Sequence, residues 1–225
     1  HAPGNPTLIS PVAVPTTAFN LAVAGRYAYL VSKTSGRLRV YDVSNATTPV
    51  FIGTSLAIGI TPTDVAVAGH YVYTTTSSGS SNFRIADISE PSTPVLTGAL
   101  TISNALAVAV SGRYGYVVDG TNLKVVDVSN PAAPVAASSL TLTNPNDVAV
   151  AGRYAYVSNG TNNDLVIVDI SNPAAPVTVG TLGSLTTPTA VAVSGRYAYV
   201  LDGSATGLRI IDVATSSAPT LAASL

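Results

Sequence analysis

The sequence predicts an all-β chain, a single five-bladed β-propeller with four antiparallel strands per blade and about 43 residues per repeat. Three observations carry that expectation. The stretch "AGRYAYV" at 151–157 returns as "AGRYAYL", "AGHYVYT", "SGRYGYV" and "SGRYAYV". Its glycines, Gly25, Gly69, Gly112, Gly152 and Gly195, lie 44, 43, 40 and 43 residues apart and span most of the 225 residues. Each interval holds short runs rich in Val, Ile, Tyr and Ala, closed by Gly, Asn, Pro or Ser, which is the pattern of strands and turns.

The repeat at 147–182, "DVAVAGRYAYVSNGTNNDLVIVDISNPAAPVTVGTL", gives the elements in order. "DVAVA" is a first strand that turns through Gly152 and Arg153 into "YAYVS", a two-residue hairpin in which glycine supplies positive φ. In the second strand the Tyr-x-Tyr pair places both rings on one face and a small residue on the other. Ten of the eleven tyrosines occur in such pairs, so their role belongs to every repeat. A polar loop of variable length follows, "NGTNN" here, "DGTN" at 119–122 and "TSSGSSN" at 76–82. The third strand, "LVIVDIS", is nearly continuous in apolar residues and is expected to be buried on both faces. Asn-Pro-Ala-Ala-Pro ends it, and "PVTVGTL" forms a fourth strand whose leading proline suits a sheet edge.

Four such strands repeated radially bury each sheet against its neighbours, and alternating Tyr with Ala lets facing blades interdigitate. A linear β-solenoid is the competing architecture, but its coils are shorter than this repeat. The expected blades are 17–60, 61–103, 104–144, 145–187 and 188–225, with 1–16 as an N-terminal extension.

Residues 165–169 read Leu-Val-Ile-Val-Asp, and variants recur at 38–42, 83–87, 123–127 and 208–212. From about residue 18 to 225 the chain resembles the LVIVD-repeat family of bacterial and archaeal surface or secreted proteins. The resemblance implies a β-propeller and an extracellular or cell-surface setting. It implies no reaction and no catalytic residues.

Composition limits function further. Hydrophobic residues make up 47% of the chain and charged ones 9%, with a formal net charge of -1. A surface of Ser, Thr, Asn, Gly and Ala has little charge repulsion to keep copies apart, which favours an assembled or glycan-coated protein. The ten Lys and Arg are scattered among eleven acids, so no tract tracks a phosphate backbone and nucleic acid is not expected as a partner. No apolar run approaches the ~18 residues of a membrane span. With Cys 0 there is neither a disulfide framework nor a thiolate nucleophile. The start at His1 suggests processing, which a removed signal peptide or a tag scar would explain, and the low-charge, Ser/Thr-rich surface favours secretion.

Five aspartates, Asp42, Asp87, Asp127, Asp169 and Asp212, close the third strands, and Arg26, His70, Arg113, Arg153 and Arg196 follow the hairpin glycines. Repetition in every blade points to turn capping rather than to a ring of ligand carboxylates. Asp64 and Asp147 break the symmetry, because the matching positions are taken as Asn20, Leu106 and Ala190. They are candidates for a ligand site at one end of the channel, with turn capping as the plainer role. Catalysis has little support: the two histidines are His1 and His70, one at a terminus and one at a hairpin. No calcium loop, phosphate loop, metal set or cofactor is expected, and a copper site built from His1 and His70 has nothing to bring its ligands together.

The ends depart most from the repeat. "NPTLISPVAV" at 5–14 resembles a fourth strand, with Pro6-Thr7-Leu8 set like Pro219-Thr220-Leu221, yet "APTLAASL" at 218–225 already supplies one for the last blade. The surplus strand, through Pro6, Thr7, Leu8, Ile9, Val12 and Val14, would close the ring, add to an edge, lie loose or be donated to a neighbouring molecule. Sequons at Asn45 and Asn159 are candidates for N-glycans, and Ser/Thr clusters at 74–81 and 186–189 for O-linked sugar. The expected function is a non-catalytic extracellular structural or assembly module that self-associates into an oligomer or filament. The alternative is a surface module that recognises a glycan or peptide through loops at one end. A hydrolase using Asp64 and Asp147 ranks behind both, and two such carboxylates about 5–10 Å apart would revive it.

Overall fold

The computed structural model describes residues 17–79, 82–203 and 207–225. These residues form five four-stranded antiparallel sheets, each built from consecutive strands in simple order. Blade 1 holds β1 (Ala18–Ala24), β2 (Tyr27–Ser32), β3 (Arg37–Asp42) and β4 (Val50–Ala57). Blade 2 holds β5 (Pro62–Ala68), β6 (Tyr71–Thr76), β7 (Phe83–Asp87) and β8 (Val95–Leu100). Blade 3 follows with β9 (Ala107–Ser111), β10 (Tyr114–Val118), β11 (Asn122–Asp127) and β12 (Val135–Thr141). Blade 4 has β13 (Pro145–Ala151), β14 (Tyr154–Asn159), β15 (Asp164–Asp169) and β16 (Val177–Leu182). Blade 5 ends the chain with β17 (Pro188–Ser194), β18 (Tyr197–Asp202), β19 (Leu208–Asp212) and β20 (Thr220–Ser224). The all-β, five-bladed expectation holds, and the surplus strand at 5–14 lies outside the described residues.

The hairpins form as expected. Ala151 pairs with Tyr154 across Gly152 and Arg153, and the five hairpin glycines have φ of +58 to +59°. The third strand is more varied than expected. Only β15 is buried almost throughout, because Val166 stands where Arg39, Arg84, Lys124 and Arg209 stand in the other blades. Those charged side chains keep one face of their strands half-buried.

Adjacent blades meet through a repeated pairing. The leading blade presents its Tyr-x-Tyr strand and the apolar residues of its third strand, and the following blade presents the valines of its first two strands. Between blades 4 and 5, Tyr156, Leu165 and Ile167 pack against Val191, Val200 and Ile211. The same arrangement joins blades 1 to 2, 2 to 3 and 3 to 4. The fourth strands of blades 1 to 4 also lie close to the turn that follows the third strand of the next blade. In β8 and β16, Gly98 and Gly180 leave room there, since a Cβ on either would run into the carbonyl oxygen of Pro131 or Ser216. Blade 3 has Ser138 at this position, which donates to the Pro173 carbonyl at 2.5 Å.

One interface is missing among the described residues. β1 packs on β5, β5 on β9, β9 on β13 and β13 on β17, but no comparable contact joins β17 to β1. Among the described residues the five blades therefore form an arc with a seam between blades 5 and 1, and closure by residues 5–14 lies outside them.

Candidate functional site at the channel mouth

The innermost strands of all five blades surround the axis. At one end they line a cavity of about 520 Å³ that includes Asn20, Lys33, Asp64, Asp147 and Ala190. A β-bulge precedes each candidate acid, between Pro62 and Asp64 and between Pro145 and Asp147. Bulges of this kind re-aim side chains at the rims of sheets.

Each carboxylate is held by backbone amides. Asp64 Oδ1 accepts from Val65 N at 2.8 Å and from Asn20 Nδ2 of blade 1 at 2.6 Å. Its Oδ2 accepts from Val108 N of blade 3 at 2.8 Å. Asp147 repeats the device, with Oδ1 taking Val148 N and Oδ2 taking Val191 N of blade 5, both at 2.8 Å. The expectation of turn capping is therefore corrected: these acids strap neighbouring blades by satisfying amides on the axial edge. The matching residue in blade 3 is also corrected. Pairing puts Asp64 opposite Thr75 and Ala107 opposite Val118, so Ala107, five residues before its hairpin glycine as Asp64 is, takes the place assigned to Leu106.

Electrostatics sets the pair apart from the repeated strand-closing aspartates, which hydrogen bonds hold below the usual carboxylate range. Burial pushes the Asp64 carboxyl up to about 7 against the pull of the Val108 amide, and the nearby Asp147 charge adds to the rise. Burial raises Asp147 too, opposed by the amides of Val191 and Val148. Two carboxyls lining one channel mouth, one titrating near neutrality, can accept hydrogen bonds from a polar ligand.

The five strand-closing aspartates are scaffold. Each accepts from the amide two residues on, at Ser44, Ser89, Ser129, Ser171 and Ala214. Four of them pair with Arg26, Arg113, Arg153 and Arg196, which also lie over the following tyrosine rings. In blade 2 the shorter His70 takes the arginine's place. It lines a cleft of about 650 Å³ between blades 1 and 2, and a smaller cleft of about 400 Å³ recurs between blades 2 and 3. His1 lies outside the described residues, as do Pro6, Thr7, Leu8, Ile9, Val12 and Val14. Among the described residues no group of three or more His, Asp or Glu could hold a metal, and no helix is long and apolar enough to cross a membrane.

The two sequons separate. Asn45 is exposed, with its Oδ1 accepting from Thr47. Asn159 is 1% exposed at the end of β14, and a sugar on its amide has no room, so that candidate is corrected. Thr74, Thr75 and Thr76 are buried as well, which among the described residues leaves Ser78 exposed in that cluster and Thr186, Thr187 and Thr189 in the other.

Sequence reasoning gave Asp202 no site role; its Oδ1 takes the amides of Thr186 and Thr187 while Oδ2 meets Arg209 Nε at 3.0 Å. Burial opposes its ionisation, but the amides of Thr187 and Thr186 and the guanidinium outweigh it and hold the carboxyl below its usual range. An acid ending the second strand, seven residues before an arginine in the third, was the available signal.

Comparison with known proteins follows the repeat. The LVIVD repeat model matches residues 16–56, 61–101, 103–141, 144–183 and 189–225. No curated protein matches the chain in sequence. Among solved structures it resembles a functionally unknown protein from Desulfotomaculum acetoxidans, with a TM-score of 0.82 and 14% identity over 96% of this chain and 73% of that one. A Bacteroides uniformis protein described as a candidate 6-phosphogluconolactonase gives 0.81 and 16%, over 96% and 72%. A chain of a nidogen/laminin complex gives 0.70 and 14%, over 92% and 79%. At these identities the likeness shows the fold alone.

Proposed function

This chain belongs to the LVIVD-repeat family, and on that premise we propose that it is a non-catalytic extracellular structural module that self-assembles by donating its N-terminal strand to a neighbouring copy. The observation that carries the reading is the use of residues in the repeat. In blade after blade the aspartates cap turns and pair with arginine, and the inner tyrosines fill blade interfaces. Even the two symmetry-breaking acids tie blades together.

Assembly draws support from the ends and from the surface. β20, from the C-terminus, already fills the fourth place of blade 5, so residues 5–14 are a strand more than the sheets need. Strand addition gives affinity through backbone pairing, and head-to-tail addition propagates into a filament. With 9% charged residues, the surface offers little repulsion between copies. The named nidogen/laminin neighbour is a propeller-like chain taken from an intermolecular complex, which accords with a partner-binding role.

The test is light scattering at rising concentration, with electron microscopy, on the intact chain and on one lacking residues 1–14. Oligomers or fibres from the intact chain and compact monomers from the shortened one are expected. Monomers from both would overturn the assembly reading.

The second reading is a binding module for a glycan or peptide at the channel mouth. It is favoured by the cavity of about 520 Å³ to which every blade contributes, with Lys33 Nζ 4.5 Å from the Phe19 ring centroid at its rim. A hydrolase stays behind both, because the oxygens of Asp64 and Asp147 are already engaged by amides.

A further inference from the structure

The seam between blade 5 and blade 1 exposes the two halves of an interface that the molecule forms four times elsewhere. On the blade 5 side stand Tyr199, Leu201, Leu208 and Ile210. Their counterparts in blade 4, Tyr156, Ser158, Leu165 and Ile167, are buried under the next blade, whereas Leu201 is 52% exposed and the other three are half-buried. On the blade 1 side, Leu21 and Val23 are 56% and 60% exposed, while Val65, which matches Leu21, is 5% exposed. Farther out on blade 1, Leu30 and Tyr41 are covered, Tyr41 lying against Phe51. The uncovered part of that side is thus the stripe nearest the axis.

We propose that this seam is a docking site for one or two further blades of the same LVIVD class, which complete the ring. Such a blade presents first- and second-strand valines to the Tyr199 face and a Tyr-x-Tyr strand to Leu21 and Val23, reproducing both sides of the established interface. Length agrees with this. The five blades span 73% and 72% of the Desulfotomaculum and Bacteroides chains, so about two blade lengths of those chains lie beyond the match.

Two other occupants fit less well. Residues 5–14 resemble a fourth strand, and fourth strands lie at the outer edge of each blade rather than in the interface core. A second copy carries both complementary faces, but its five blades exceed the roughly two blade lengths by which those chains outrun the match. The site is separate from the proposed strand donation, which adds backbone to a sheet edge and does not fill a blade face.

The test extends the chain by its own repeats. Leu100, Leu182 and Leu225 each lie opposite the first apolar residue of a third strand, Phe83, Leu165 and Leu208. Repeating residues 101–182 after Leu225 therefore adds two blades in register. The extended chain is expected to be a monomer with a higher Tm and weaker binding of an apolar dye. Leu201→Lys is expected to lower its Tm by roughly 5 °C or more, since a buried leucine becomes a buried charge, while leaving the Tm of the five-bladed chain nearly unchanged. A substitution equally silent in both chains would overturn the proposal. Should the extended chain precipitate, the five-bladed chain decides: Leu201→Lys and Val23→Lys are each expected to reduce its dye binding severalfold, and unchanged binding would mean that the faces are already covered. Self-association of the five-bladed chain that Leu201→Lys abolishes would make a second copy the occupant and overturn the proposal as well.

Discussion

Asp64 sits where burial and the Asp147 charge oppose ionisation, although the Val108 amide bridges blades through it. In the unfolded chain an aspartate titrates near ~3.9, and in the folded chain this one titrates at about 7. Folding therefore binds a proton between those values, and this group's contribution to stability is complete below pH ~4 and declines as pH rises through 7. The strand-closing aspartates act in the opposite sense. Hydrogen bonds from Arg153 and Ser171 hold Asp169 low, so its contribution is present above pH ~4 and lost in stronger acid. Asp64→Asn keeps an oxygen for an amide and removes the titration. Melting temperatures measured by circular dichroism from pH 4 to 8 should fall less steeply in the variant than in the parent; parallel curves would show that Asp64 carries no such penalty. The sequence marked Asp64 and Asp147 as departures from the repeat, but not their partners. Val108 is 44 residues from Asp64, and an amide on a neighbouring blade leaves no mark in local pattern.

At the level of the element, two kinds of glycine serve two physical needs. The hairpin glycines need positive φ and have open space around them, as at Gly69. Gly98 has no such φ; it needs room, because the Pro131 carbonyl of the next blade occupies the place of a Cβ. Gly98→Val should destabilise by about 1–3 kcal/mol through overpacking against backbone that cannot rotate away. Urea unfolding would measure it, and a loss no larger than a few tenths would mean that the blades part easily. The hairpin role was legible from spacing alone, since Gly-Arg joins two apolar runs in four copies and Gly-His in the fifth. The fourth-strand role was not, because the clash partner comes from the turn of the following repeat. The third strand shows the same limit. Val166 and its charged counterparts were visible as letters, yet "nearly continuous apolar" described only β15 well.

Across the whole molecule, stability is a sum of blade interfaces, and the described residues form four of them for five blades. Equivalent tyrosines should then differ by place. Tyr156→Ala removes a ring buried between blades 4 and 5 and should lower stability by about 3–5 kcal/mol. Tyr199→Ala acts at the free face of blade 5, where the ring is half-buried, and should cost clearly less. Equal losses in urea unfolding would show that the seam is closed in solution. The sequence by itself determined the strands, the hairpins, the four-stranded blade and the count of five, because each is set by alternation, turn residues and period within some 43 residues. Tertiary structure alone decided that Asp64 and Asp147 strap blades, that Asn159 is buried, and that no described strand of blade 5 packs on blade 1. Those facts depend on the angle and spacing at which whole sheets meet, and that geometry arises from contacts between repeats rather than from the order of residues within one.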